Sequence, residues 1–314
     1  MLKKTLIILG AGPAGLTAAI YAARANLNPV VITGMDEGGQ LIKTHIIDNW
    51  PGDINGVDGF TLAQRLLDHA KRFDTQLISD HITAVNFKQH PFYLKGENEE
   101  YLADTVIVAA GAQPRTLHLP KETELIGKGV SYCAVCDGFF YKNAKVAVIG
   151  GSNTAVIDAL YLANIAREVT LIHRRDQLRA EPILIDKLKH LPNIKIVWNS
   201  IVTEILGNDV VSGIRIQNVK SSQTQELEIS GLFVAIGHRP NTDIFINQLE
   251  MKGGYLQIKN KENLTTATSV DGVFAAGDVA NATYQQAIIA AASGAMAAMD
   301  VKKYLSGLPT PKEH

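Results

Sequence analysis

Cysteine is almost absent from this chain. Two stand among 314 residues, Cys133 and Cys136, too few for the disulfide framework of a secreted domain. A closed zinc site is disfavoured on the same ground: four ligands are usual, and no second C-x-x-C or Cys/His pair accompanies the first. A zinc shared between subunits stays open at this point. Charge of either sign is not in excess either, with 30 basic and 31 acidic residues and a net charge of −1. That balance gives no footing for a nucleic-acid partner or an anionic membrane surface. Nor is there a long apolar run. The Ala-rich stretch from Ala287 to Ala298 is too short for a bilayer span and holds Ser293 and Gly294. The start, Lys3-Lys4 before Leu6-Ile7-Ile8-Leu9, imitates a leader, but it runs into glycines that a buried strand and phosphate-binding turn explain better.

What is there begins with the cysteines themselves. Cys133-Ala134-Val135-Cys136-Asp137 places two thiols where each can close onto the other, so the pair can cycle between dithiol and disulfide. A carboxylate directly after the second can move protons during exchange. On each side of this motif lies a nucleotide fingerprint. The apolar run 5–9 predicts a buried parallel strand, followed at once by Gly10-x-Gly12-x-x-Gly15 and an alanine-rich helix. Glycines there allow a tight turn, backbone approach to a pyrophosphate and close helix packing, while the helix N-terminus attracts the anion.

An acid is missing at the end of both second strands. After Val30-Val31-Ile32 stands Thr33, so the ribose is expected in the loop Thr33-Gly34-Met35-Asp36-Glu37-Gly38-Gly39-Gln40. Next comes an amphipathic helix, with Phe60, Ala63, Leu66, Leu67, Ala70 and Phe73 expected as its core face. A further buried strand, 105–110, closes with Gly111-Ala112-Gln113-Pro114-Arg115, and Pro120 follows in what reads as a domain crossing. The unit then repeats. Strand 145–149 runs into Gly150-Gly151-Ser152-Asn153-Thr154 and a helix, and 231–240 parallels 105–115 through Ile236-Gly237. The repeat's second strand, 168–172, ends in His173-Arg174-Arg175 with Arg179 beyond. Guanidiniums at that position suit a 2′-phosphate, which selects NADPH. Late in the chain, strand 270–276 ends in Gly277-Asp278, a carboxylate placed for the sugar-alcohol chain of a flavin. A helix beginning near Gln286 and Ala287 offers N–H groups to the flavin's negative charge.

With these residues in view, the whole chain resembles the bacterial low-molecular-weight thioredoxin reductases. The marks are Gly10 to Gly15, including Pro13 and Ala14; Thr33 to Leu41; Asn49-Trp50-Pro51-Gly52; the motif from Cys133 to Phe140; His173 to Arg179; Ala235 to His238; and Gly277-Asp278. The resemblance implies an α/β architecture of two Rossmann-like dinucleotide-binding domains, the second inserted in the first. The FAD domain is expected at 1–115 and 246–314, and the NADPH domain, carrying the cysteines, at 116–245. It implies a cytoplasmic homodimer that passes electrons from NADPH through FAD to the Cys133–Cys136 pair and on to the disulfide of thioredoxin. In that scheme Cys136 faces the flavin, Cys133 attacks thioredoxin and Asp137 serves as acid and base. Because one domain carries both the nicotinamide and the cysteines, it is expected to swivel between half-reactions. Three positions depart from the pattern: Ser152 for a glycine, expected to crowd the pyrophosphate; Gln285 for an arginine near FAD; and Ala110 for a threonine. Among rivals, ferredoxin or flavodoxin reductases generally lack C-x-x-C, and a redox sensor has no need of a hydride source. The reductase subunit that feeds peroxidases needs a further N-terminal dithiol module, whereas here the FAD fingerprint begins at residue 10.

Overall fold

The computed structural model describes residues 2–44, 46–260 and 264–307; the outermost limits of the expected first domain, residue 1 and residues 308–314, lie outside them. The chain forms two compact units, Met1–Gln113 with Arg239–His314, and Pro114–His238.

In the first unit, strand β1 (Leu2–Leu9) turns into helix α1 (Pro13–Arg24), and β2 (Val30–Ile32) pairs parallel to β1. Pro13 opens α1 at the one position where a missing N–H costs nothing. Helix α2 (Gly59–Lys71) is capped by Asp58, whose side chain accepts from Thr61 N–H at 3.0 Å. Of the face expected to be core, Leu67, Ala63 and Ala70 are buried, but Phe60 is 62% exposed. It sits in the first turn, away from Leu67 and Ala70, where the helix joins the core around α1. Strand β3 (Gln76–Ile78) extends the sheet beside β2. An antiparallel hairpin, β4 (Ile82–Asn86) and β5 (Phe92–Gly96), leads into β6 (Glu100–Val108). Strand β6 lies parallel to β1.

The second unit repeats the plan. From β7 (Val130–Ser131) the chain passes a one-turn helix, α3 (Ala134–Asp137), to β8 (Lys145–Ile149), α4 (Asn153–Ala163) and β9 (Glu168–Ile172). Helix α5 (Pro182–Lys189) and β10 (Ile194–Val197) follow. Three antiparallel strands, β11 (Ser200–Leu206), β12 (Gly213–Asn218) and β13 (Thr224–Glu228), form a separate sheet. Strand β14 (Gly231–Val234) completes a five-stranded parallel sheet in the order β7-β14-β8-β9-β10. Its central strands are largely apolar, with Val146–Ile149 and Leu232–Val234 buried, because their side chains enter cores on both faces of the sheet.

Back in the first unit, β15 (Val273–Ala275) joins the outer edge of β6, parallel to it. Helix α6 (Ala287–Gly307) then packs on α1. Closeness explains their composition: a Cβ at Gly294 would stand 2.0 Å from the carbonyl oxygen of Ala14. No helix among the described residues is long and apolar enough to cross a membrane.

Candidate functional site: a disulfide and two nucleotide turns

In the second unit, a disulfide joins Cys133 to Cys136, their Cα atoms 5.3 Å apart. Cys133 is the N-cap of α3, and its Sγ accepts from Cys136 N–H at 3.2 Å. On reduction, the same N–H stabilises a thiolate at Cys133. Cys133 N–H donates to Ser131 Oγ at 3.0 Å, and Ser131 Oγ–H donates to Asp137 Oδ2 at 2.6 Å. One serine thereby ties the carboxyl to the start of the cysteine turn. Burial raises the Asp137 carboxyl above its ordinary value, against the opposing effect of that serine bond. The approach to the pair is fixed by Glu122, itself 2% exposed. It accepts from Leu117 N–H at 2.8 Å, Leu119 N–H at 3.3 Å and Tyr132 Oη–H at 2.9 Å. Past the motif, Phe139 and Phe140 are more than half exposed.

The same unit holds the second glycine turn. Gly150 has φ +155°, and a Cβ there would lie 2.4 Å from the carbonyl oxygen of Ala235, so glycine is required. Ser152 is the N-cap of α4 and makes no side-chain capping bond, which leaves the first-turn N–H groups to another acceptor. Asn153 is held by Glu181, each bonding the other, at 2.8 and 2.9 Å, while Thr154 is exposed. Beyond β9, Arg174, Arg175 and Arg179 are exposed, and none of their guanidiniums is in an ion pair among the described residues. Three unneutralised guanidiniums at a strand end fit a phosphate. His173 differs from them: it is 5% exposed and packed beneath the turn. Ile236 and Gly237 stand half-buried after β14, Gly237 with φ +97°.

In the first unit a cleft of ≈ 440 Å³ opens over the first glycine turn. Of the residues expected to hold a nucleotide, Gly10, Gly12, Pro13 and Ala14 line it, as do Thr33 to Asp36, Gly39, Gln40, Ala110, Gly111, Gly277 and Asp278. Gly15 serves packing instead: a Cβ there would lie 1.8 Å from the carbonyl oxygen of Gly10. Glu37 is exposed, Gly38 N–H donates to Ala11 O at 3.1 Å, and Leu41 is buried in a side cluster with Ile47 and Leu62. Asn49 Nδ2–H donates to Gln286 Oε1 at 3.1 Å, Gln285 Nε2–H reaches Tyr255 Oη at 3.4 Å, and Ala287 begins α6. These four are not among the cleft's lining. Three residues that line it stand in no motif of the sequence: Asp80, Asn241 and Phe245. For Asp80 the available signal was an acid just past the end of β3, the third parallel strand.

The cleft passes a test for a dinucleotide. Asp278 Oδ1 is buried with no hydrogen-bond partner among the described residues, and burial pushes the carboxyl up to about 6. A buried carboxylate oxygen without a donor is costly, and a ligand hydroxyl would satisfy it. Gly10, with φ +108° and a Cβ that would fall 2.4 Å from Ala109 O, keeps the turn open at the α1 N-terminus. FAD and NADPH therefore fit the residues of the first and second turns.

Comparison with known proteins agrees. Residues 4–294 match the family described as pyridine nucleotide-disulphide oxidoreductase. The chain is 55% identical over 311 residues, 97% of each chain, to a thioredoxin reductase of Coxiella burnetii. It is 53% identical over 313 residues, 98% of each, to a Pseudomonas fluorescens protein named glucosaminate ammonia-lyase. The solved thioredoxin reductase of Giardia duodenalis superposes with a TM-score of 0.92 at 37% identity, covering 98% of this chain and 100% of that one. Match, motif and two-unit Rossmann-type fold together place the chain in the pyridine nucleotide-disulphide oxidoreductase family.

Proposed function

We propose that the chain is an NADPH-dependent thioredoxin-disulfide reductase, with the first unit as the FAD domain and the second as the NADPH domain. The observation that carries this reading is the Cys133–Cys136 disulfide, with Asp137, its carboxyl raised by burial, beside it, in the unit that also holds the second glycine turn and exposed arginines after its second strand. Gly10 to Ala14, the loop from Thr33 to Gln40 and Asp278 hold FAD; Gly150 to Thr154 and the three arginines hold NADPH. Bound FAD supplies two-electron transfer between the nicotinamide and the disulfide. The chain's own residues do the rest. Cys133, as thiolate, attacks one sulfur of thioredoxin's disulfide, and the other thioredoxin sulfur leaves. Cys136 then attacks Cys133 Sγ, which closes the enzyme disulfide and frees the second thioredoxin sulfur. Two electrons leave the enzyme pair, and the departing thiolates take up two protons, one by way of Asp137. A pair that works as a dithiol suits the reducing cytoplasm.

A homodimer also belongs to this reading. Along α6, Ile288, Met296 and Met299 are exposed at helical spacing, an apolar stripe that a second copy would cover. Replacing Met296 and Met299 with Glu should convert a dimer to monomer in light scattering. An unchanged mass would remove this face from the interface.

The principal test is reduction of thioredoxin by the purified protein with NADPH, beside NADH and beside ammonia release from glucosaminate. NADPH-dependent reduction is expected, and Cys133→Ser or Cys136→Ser should each abolish it. Turnover by either variant, or ammonia release with no thioredoxin reduction, would sink the assignment.

A further inference from the structure

His173 opens the basic cluster, yet it does not share the exposure of the arginines. Its ring is 5% exposed. Nε2 lies 3.1 Å from the carbonyl oxygen of Gln177, which can only accept, so Nε2 carries the proton. The imidazole face stands over Gly151: a Cβ there would meet Cε1 at 2.2 Å, Nδ1 at 2.3 Å and Nε2 at 2.7 Å. Trp198 packs against the imidazole edge-to-face, ring centres 6.4 Å apart. Gly151 is tied to the same loop a second time, its carbonyl accepting from Arg179 N–H at 2.7 Å. The glycine turn and the arginine-bearing loop are thus fastened together, with His173 filling the space between them.

The duplicated unit supplies an internal control. Leu9 pairs with Ile32, and Ile149 with Ile172. Gly10 N–H bonds Ile32 O at 2.9 Å, and Gly150 N–H bonds Ile172 O at 3.1 Å. The residues that follow therefore correspond, Ala11 to Gly151 and Thr33 to His173. Where the strand ends in a small buried threonine, the turn carries a Cβ; where it ends in an imidazole, the turn has none. The two positions trade volume, as close-packed neighbours do.

We propose that His173 is a positioning residue rather than a phosphate ligand, a wedge beneath Gly151 that sets the pyrophosphate turn against the arginine loop. This rests on the reading of Gly150 to Thr154 as the NADPH turn. Charge agrees with it. Burial holds the imidazole below its usual range, opposed by its bonds to Gln177 and Gly150 and reinforced by Arg179 and Arg175. Burial thus disfavours the charged form that would attract a phosphate.

The test is a double-mutant cycle on the FAD-loaded protein, read by calorimetric binding of NADPH and NADH and by melting temperature. Gly151→Ala should weaken both nucleotides by at least about tenfold, the consequence of an overpacked methyl. His173→Thr should leave the NADPH/NADH preference within about threefold, since the shared pyrophosphate turn is what it props. Gly151→Ala with His173→Thr rebuilds the pair found in the other unit and should bind better, and melt higher, than Gly151→Ala alone. Additive losses in the double variant overturn the wedge. A collapse of NADPH preference in His173→Thr makes the imidazole a phosphate ligand after all. If the unaltered protein binds no NADPH, the nucleotide reading fails, and the melting-temperature coupling still decides the wedge.

Discussion

Asp278 shows how a single residue can serve binding at the expense of the empty fold. Its Oδ1 is buried without a donor among the described residues, and burial raises the carboxyl to about 6 from 3.8. A raised carboxyl contributes stability that is complete below the unfolded value of 3.8 and is lost as pH rises through about 6. At pH 7.5 the charge is a net cost. Asp278→Asn removes it, so the FAD-free protein should gain on the order of 1–3 kcal/mol at that pH and nothing near pH 4. The same variant should retain FAD less well, because the amide is a weaker acceptor for a ligand hydroxyl. Paired melting curves at the two pH values, with flavin content after desalting, check both halves. An equal gain at both pH values would mean that charge is not the cause.

At the scale of an element, the hairpin that feeds β6 hangs on one carboxylate. Asp80, 4% exposed, accepts from the N–H groups of His81, Glu97, Asn98 and Glu99 at 2.8–3.2 Å and from Tyr101 Oη–H at 2.7 Å. Burial acts to raise its pKa, but the bonds from Tyr101, Asn98, His81 and Glu99 outweigh it and the carboxyl lies below the ordinary value. A depressed carboxyl gives stability that is present above the unfolded pKa and is lost as pH falls through the folded one. Acid should therefore loosen this hairpin only once pH falls below the ordinary carboxylate value of 3.8. Asp80→Ala leaves four N–H groups and a buried hydroxyl unsatisfied, a loss of about 3 kcal/mol or more. Since Asp80 also borders the cleft, flavin retention should fall with melting temperature. A variant as stable as the parent would show that water replaces the carboxylate without cost.

For the whole molecule, the inserted unit carries its own cores and brings its ends together. Arg115 N–H donates to Gly237 O at 2.9 Å, so chain entry and exit are neighbours. Inserted domains with adjacent ends can fold alone. The excised segment Pro114–His238 should unfold in a single cooperative transition and be stabilised by NADPH in proportion to its concentration. Replacing Arg174 and Arg175 with Ala should abolish most of that stabilisation and leave the effect of NADH little changed. A segment that stays unfolded would mean that the first unit supplies part of its core.

The sequence by itself determined the parallel strands, both glycine turns, their duplication and the cysteine pair. These are local: an unbroken apolar run such as 146–149 has one comfortable setting, and a glycine turn follows from what can approach a phosphate. The same pattern misread Phe60, because helical periodicity marks a face but not where along the helix its neighbours cover it. Other matters needed the folded chain. Asp80 reads as an ordinary turn carboxylate until the hairpin brings residues 97–101 to it. Asn241 and Phe245 follow a proline far along the sequence, and only the return of the chain puts them beside Gly10. His173 stands in a run of basic residues, and its company suggested a phosphate. Its burial under Gly151 is set by a contact between a strand end and a turn more than twenty positions apart, which residue type cannot reveal.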